Sequence, residues 1–159
     1  MKKTFFVNII FCFSAALLIL VFSTCKKSAV EINADIYGKW SNNFLGAPGV
    51  VTQYRFKSID SVEYFVSKID TVTQNTIGYS SRTIGKFKIE NATLTMYNLQ
   101  TFTNPANTFG TLAQLVPGSG PAVLTYSISI NDQKKQLLVY FTCPANANCV
   151  SSPLVYYKE

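Results

Sequence analysis

The chain has 159 residues, with 14 Lys and Arg against 8 Asp and Glu, no histidine, and a net charge of +6. Without histidine there is no imidazole general base and no His-based triad. The basic residues are scattered, so no stripe tracks a nucleic-acid backbone.

Residues 1–24 place Lys2 and Lys3 before an apolar run from Phe5 to Phe22 and end on Ser23 and Thr24. That is the order of a basic n-region, an apolar h-region and a small-residue cleavage zone. Cys25 follows the small pair directly. The whole resembles a bacterial lipoprotein signal, in which the cysteine is lipidated and becomes the first mature residue. The resemblance implies a signal peptide over residues 1–24, a lipidated Cys25 with its tether over 25–35, and one domain over 36–159. Plain secretion and an uncleaved anchor are the competing readings, since the run is just long enough to cross a hydrocarbon core of about 30 Å. After cleavage the chain is still long enough to bury its own core.

Residues 26–35, KKSAVEINAD, read as the tether, with a reach of ~35 Å when fully extended. Lys26 and Lys27 are expected beside the anchor, where they can meet anionic headgroups. The CKKS opening resembles lipoproteins of the Bacteroidetes. In that group an acidic cluster accompanies surface export. The tether has none, which favours the periplasmic face of the outer membrane.

From Tyr37 the pattern is β, with aromatic and β-branched runs between turn residues. Eight strands are predicted: Tyr37–Asn42, Gly49–Lys57, Ser61–Thr73, Ile77–Ile89, Thr93–Thr101, Val123–Asn131, Gln136–Thr142 and Pro153–Lys158. Thr52, Tyr54 and Phe56 alternate with Gln53, Arg55 and Lys57. Val62, Tyr64 and Val66 oppose Ser61, Glu63 and Ser67, and Tyr126, Ile128 and Ile130 oppose Thr125, Ser127 and Ser129. Period two with one polar face means antiparallel strands around one interior. No amphipathic helix of ten or more residues appears after the leader.

Three connections are short and polar: Ser58–Asp60, Glu90–Ala92 and Asp132–Lys135. Three are long: Asn43–Pro48, Phe102–Ala122 and Cys143–Ser152. In an up-and-down order alternate connections lie at opposite ends, so the long loops share one end. The expected fold is an all-β, antiparallel up-and-down eight-stranded barrel, which leaves no sheet edge. Phe102–Ala122 is long for a bare loop, which makes it a candidate lid or a flaw in the strand assignment. Phe109, Leu112 and Leu115 or Val116 have helical spacing there, and Pro117 stops the turn.

Cys12 lies inside the leader. Cys143 and Cys149, in CPANANC, read as a disulfide outside the cytoplasm. Closing so short a loop contributes ~2 kcal/mol in the entropy model. A metal site would need two further ligands, and the chain has no histidine to supply them.

Gly38-Lys39-Trp40 resembles the G-x-W that opens the first strand of lipocalin-like domains. Gly85 to Asn91, followed by Leu94-Thr95-Met96, is similar to the G-x-Y-x-I then L-x-L segment of small bacterial lipocalin-like lipoproteins. Leu137–Phe141 and Val155-Tyr156-Tyr157-Lys158 fit the last two strands. The resemblance covers most of Tyr37 to Lys158. It implies a closed end where Trp40 sits under a basic residue after the final strand, here Lys158, in a cation–π contact. It also implies a mouth at the long-loop end, facing away from the tether.

The acids Asp60, Glu63, Asp70, Glu90 and Asp132 fall at turns or on polar strand faces, where they are expected to be solvated. No paired carboxylates, phosphate loop or other catalytic constellation stands out. Asn91-Ala92-Thr93 fits a glycosylation triplet and reads as a turn. Asp60-Ser61-Val62 and Asp70-Thr71-Val72 resemble the O-glycosylation triplet of Bacteroidetes, and the turn reading is favoured for both. Tyr54, Phe56, Tyr64 and Phe87 are candidates to line a ligand cavity, with Tyr126 and Phe141 across from them and Phe109 and Leu112 at the lid. The same aromatics could simply fill a small barrel, and no polar anchor converges among them. Tyr140, Tyr156 and Tyr157 are expected on the outside, as a packing patch or a partner surface. The sequence therefore leads to a non-enzymatic envelope lipoprotein that binds a small apolar or amphipathic ligand. It would contact the membrane through its lipid and need no cofactor or metal. The alternative is a structural or interaction lipoprotein with a filled core, contacting another envelope protein.

Overall fold

Apolar side chains at every second position can be buried together only if the strands share one inner face. In the computed structural model, which describes residues 35–43, 47–57, 59–131, 133, 135–141 and 153–159, the strands curl until that face closes on itself. The strands are β1 (Gly38–Asn43), β2 (Val50–Phe56), β3 (Ser61–Ile69), β4 (Thr76–Glu90), β5 (Thr93–Thr103), β6 (Val116–Pro117), β7 (Val123–Asn131), β8 (Gln136–Tyr140) and β9 (Leu154–Lys158). Eight of them pair antiparallel in chain order and β9 returns to β1, a closed up-and-down barrel. The two-residue β6 lies against the upper part of β5.

The closing seam is short. Among the described residues it carries the pairs Trp40 with Lys158 and Ser41 with Tyr157. Side chains reinforce it: Asn42 Nδ2 donates to the Val155 carbonyl at 2.6 Å, and Gln53 Nε2 to Glu159 Oε1 at 2.8 Å.

Turn chemistry sets where strands stop. The predicted third strand runs to Thr73, but β3 ends at Ile69. Asp70 Oδ1 accepts the N–H groups of Val72 at 2.9 Å and Thr73 at 2.8 Å, which bends the chain back. Asn91 and Ala92 both have positive φ, 50° and 58°, between the paired Glu90 and Thr93. This is the two-residue hairpin turn whose twist matches the strands.

The long segment after β5 builds wall instead of covering the mouth. β5 runs on to Thr103. Gly110 then pairs with Tyr79, accepting from Tyr79 N at 2.7 Å and donating to its carbonyl at 3.0 Å. Gly78 permits this approach, because a Cβ there would lie 2.9 Å from the Phe109 carbonyl carbon. A single 3-10 turn, Leu112–Gln114, follows. Then Gly118 N donates to the Thr101 carbonyl at 2.9 Å. The loop is therefore hydrogen-bonded onto the upper edges of β4 and β5.

One cluster of buried side chains fills the interior, including Ile36, Trp40, Phe56, Phe87, Leu94 and Leu137. The outer wall carries a buried group that the sequence reading missed. Phe65 is 3% exposed, flanked by Tyr79 at 5.6 Å and by the Arg55 guanidinium at 4.6 Å. Beside it Glu63 is only 6% exposed, held by Arg82 and by Lys57 Nζ at 3.0 Å. The expectation of a solvated Glu63 is thus overturned: the long basic side chains lie over the strand face and cover it.

Candidate functional site

Strand parity brings the beginning of β1 and the end of β9 to one end of the barrel. There the Trp40 ring is fully buried, and the Lys158 ammonium lies 5.1 Å from its centroid, the contact expected for this end. The indole N–H donates to the Ile36 carbonyl at 2.6 Å. Lys158 Nζ donates to the Asp35 carbonyl at 3.0 Å, so the incoming chain is held at the same place. Phe56 packs edge-on against Phe87 at 5.0 Å, and Tyr37 against Phe87 at 6.2 Å. The closed end is solid.

Further along the axis the packing opens. A cavity of about 160 Å³ lies between β2, β3, β4, β5, β7 and β9, with Tyr54, Tyr64, Tyr126 and Tyr156 on its wall. Met96, Leu124 and Val62 supply most of the aliphatic surface, and Thr83 a hydroxyl. Phe141 and Leu154 border it on the side away from Trp40 and are themselves partly open to solvent, at 44% and 37%. Among the described residues no charged side chain lines it.

The tyrosines are there because their strands put them there. Tyr54 and Tyr64 are register partners on β2 and β3, with ring centroids 4.7 Å apart. Tyr156 meets Tyr54 edge-on at 5.0 Å, and its hydroxyl accepts from Thr52 Oγ1 at 3.4 Å. Tyr126 packs edge-on against Phe141 at 5.0 Å. Burial pushes the phenols of Tyr54, Tyr64, Tyr126 and Tyr156 up, and the neighbouring phenols add to this at Tyr54, Tyr64 and Tyr126. All four therefore stay neutral at ordinary pH and can donate or accept.

No family model, curated protein or solved structure matches the chain. The site is accordingly read from its own geometry.

Of the residues expected to line a cavity, Tyr54, Tyr64, Tyr126 and Phe141 do. Phe56 and Phe87 do not: both are core residues, 3% and 4% exposed, packed on one another at the closed end. Phe109 and Leu112 do not either, because Gly110 pairs beside them on the edge of β4, and Leu112 is 44% exposed. Tyr156, expected outside, is 1% exposed and central to the cluster, whereas Tyr140 and Tyr157 are outside as expected. Tyr156 also supplies the convergent polar group that the sequence reading found missing. Cys25, Cys143 and Cys149 lie outside the described residues.

A second concavity of about 500 Å³ lies on the outer face of β1, β2 and β3. Its polar groups bond one another: Arg55 Nε donates to Gln53 Oε1 at 2.7 Å, and Gln53 Nε2 to Ser41 Oγ at 3.0 Å. Lys39 Nζ stands 3.6 Å from Glu159. That network ties the seam together and leaves few groups for a ligand. Among the described residues no three His, Cys, Asp or Glu side chains gather as metal ligands.

Proposed function

We propose that this chain is a cell-envelope lipoprotein whose barrel binds a small apolar or amphipathic ligand in the tyrosine-walled cavity. One observation carries the reading: the barrel is packed solid at the Trp40 end and holds a cavity of about 160 Å³ beyond it. A void of that size loses contacts along its lining and is costly to keep empty. It is close to the ~150 Å³ apolar cavity that takes up benzene in an engineered protein, and smaller than the ~300 Å³ lower end of drug-sized sites. The ligand, or the part of it inside, is therefore small.

The lipoprotein part rests on the sequence, on the order of residues 1–24 and on Cys25. The resemblance of the Gly38-Lys39-Trp40 opening to lipocalin-like domains supports the same assignment. Entry of the chain at the closed end, where Asp35 and Ile36 meet Lys158 and Trp40, is what an anchored barrel with its mouth turned from the membrane requires. The periplasmic face of the outer membrane is the proposed location. A fully packed interior would have favoured the structural or interaction reading; the cavity favours binding.

Native mass spectrometry of the protein purified from its own membranes tests the binding part. A discrete added mass, lost on denaturation, is expected. A spectrum of protein with only its lipid modification would count against it. Fatty-acid labelling tests the anchor: Cys25→Ser should abolish it, and undiminished labelling would refute lipidation at Cys25.

A further inference from the structure

The cavity wall limits what can enter more sharply than its volume does. This step rests on the ligand-binding reading above and narrows it to one chemical class. Among the described residues no Lys, Arg, Asp or Glu lines the space, so a charged group inside would find no counter-ion there. A buried unpaired charge is strongly disfavoured. The occupant is therefore neutral.

The wall is also largely aromatic. Tyr54, Tyr64 and Tyr156 form one side with centroid spacings of 4.7–5.0 Å, and Tyr126 with Phe141 forms another. Tilted and edge-on rings present both faces and edges to a ring placed between them, the geometry aromatic pairs prefer. Met96 adds a thioether, which also favours ring contact. The volume admits about one six-membered ring.

The hydroxyls are not equivalent. The Tyr156 hydroxyl accepts from Thr52 Oγ1 at 3.4 Å, and the Tyr54 ring packs against both Tyr156 and Tyr64. Thr83 Oγ1 is paired with Thr101 Oγ1 at 3.1 Å. The Tyr126 hydroxyl makes no hydrogen bond among the described residues, although its ring lines the cavity and is half-buried. A half-buried phenol without a partner gains most from a ligand that supplies one.

We propose that the cavity receives a single neutral aromatic ring bearing a hydroxyl or carbonyl group, hydrogen-bonded by Tyr126. Phenols and quinone-type carbonyl rings satisfy this description; benzoates and aliphatic chains do not.

The chain contains two methionines, Met1 and Met96, and Met96 lines the cavity, so its ε-methyl is a direct reporter. The experiment uses protein purified from its membranes, held in lipid nanodiscs and labelled with ¹³C at the methionine methyls. The probes are phenol, toluene, benzoate and 1-hexanol. Phenol should move the Met96 methyl by ring current and saturate. Benzoate should bind at least about tenfold more weakly, for want of a counter-ion. Tyr126→Phe should weaken phenol about fivefold, the worth of one neutral hydrogen bond, and leave toluene unchanged. Toluene binding also shows that the variant is folded. Benzoate binding as well as phenol, or phenol indifferent to Tyr126→Phe, would overturn the proposal. A Met96 response to 1-hexanol alone would overturn it while leaving the broader binding reading intact. No response to any probe would overturn it too, and the native mass spectrum would then decide the broader reading by itself.

Discussion

Replacing Trp40 by alanine should cost the barrel about 3–5 kcal/mol, the usual loss for a buried tryptophan. The structure divides that loss. The ring is fully buried, so most of it is packing. The indole N–H donates at 2.6 Å to the carbonyl of Ile36, itself fully buried. Trp40→Phe keeps a ring but removes that donor, at about 1–3 kcal/mol for a buried acceptor left unpaired. The Lys158 ammonium, 5.1 Å from the ring centroid, sits on an exposed side chain, so Lys158→Met should cost no more than about 1 kcal/mol. The expected order is Trp40→Ala, then Trp40→Phe, then Lys158→Met. Urea unfolding followed by circular dichroism measures it. At a slope of about 2 kcal/mol/M, a 4 kcal/mol loss lowers the midpoint by about 2 M with the slope unchanged. The Met96 methyl should still respond to ligand in conditions where each variant is folded. A Trp40→Ala cost below about 1.5 kcal/mol would show that this end is not the solid plug described. So would a Lys158→Met cost equal to it.

Four further outcomes are expected. Burial pushes the Glu63 carboxyl up, but hydrogen bonds from Arg82 and Lys57 outweigh this and hold it below its ordinary 4.5. Its stabilisation is therefore present above about pH 4.5 and lost as pH falls through the lower folded value. Glu63→Gln should then cost about 1–2 kcal/mol at pH 7, discounted for the water-exposed partners, and progressively less as pH falls through the folded value, in denaturant titrations. The buried phenols are raised, so the folded state holds their protons longer than the unfolded chain; stability should fall as pH rises beyond about 10, and tyrosine ionisation followed at 295 nm should coincide with unfolding. Ala92→Gly should raise stability by about 0.5–1 kcal/mol, because Ala92 holds φ 58° in a turn that favours glycine; a lower melting temperature would contradict the turn assignment. Gly78→Ala should cost about 1–3 kcal/mol and increase amide exchange at Gly110, since the added Cβ meets the Phe109 backbone; an unchanged exchange rate would mean the loop is not fastened there.

Much of the fold follows from period two alone. The phase of β2, β3 and β7 is plain, and with it the inward tyrosines Tyr54, Tyr64 and Tyr126. Loop lengths and strand parity then place Trp40 opposite the long connections. Phase was harder to read where the chain gives it no reference. Tyr156 and Tyr157 are adjacent, so one must point in, and the choice depends on Leu137 pairing with Tyr156 across the barrel. Along β4 three register shifts, at Val66/Ser67 and Lys68/Ile69 in the ladder with β3 and at Ile84/Lys86 in the ladder with β5, displace the alternation within a single strand. Residue type alone sends Glu63 to solvent. The missed signal was Phe65, an aromatic on the otherwise polar face, which draws Arg55 and Arg82 over it and buries the neighbouring carboxylate. That the Tyr126 hydroxyl finds no partner among the described residues is a matter of distances and has no signature in the order of residues.

The seam bears on how the barrel forms and how it breathes. Its strands carry residues as far apart as Asn42 and Val155, 113 positions along the chain, yet its described ladder has two register pairs where β1 and β2 have six. Bringing such distant segments together loses loop entropy before any contact compensates it, so closure belongs late in folding and slows it. By the same token the seam is the line along which partial opening requires the fewest backbone bonds to break. Amides of β1 and β9 should exchange sooner than those of β3 and β4. Water would first reach the buried indole through the side of the barrel, by a route independent of the mouth.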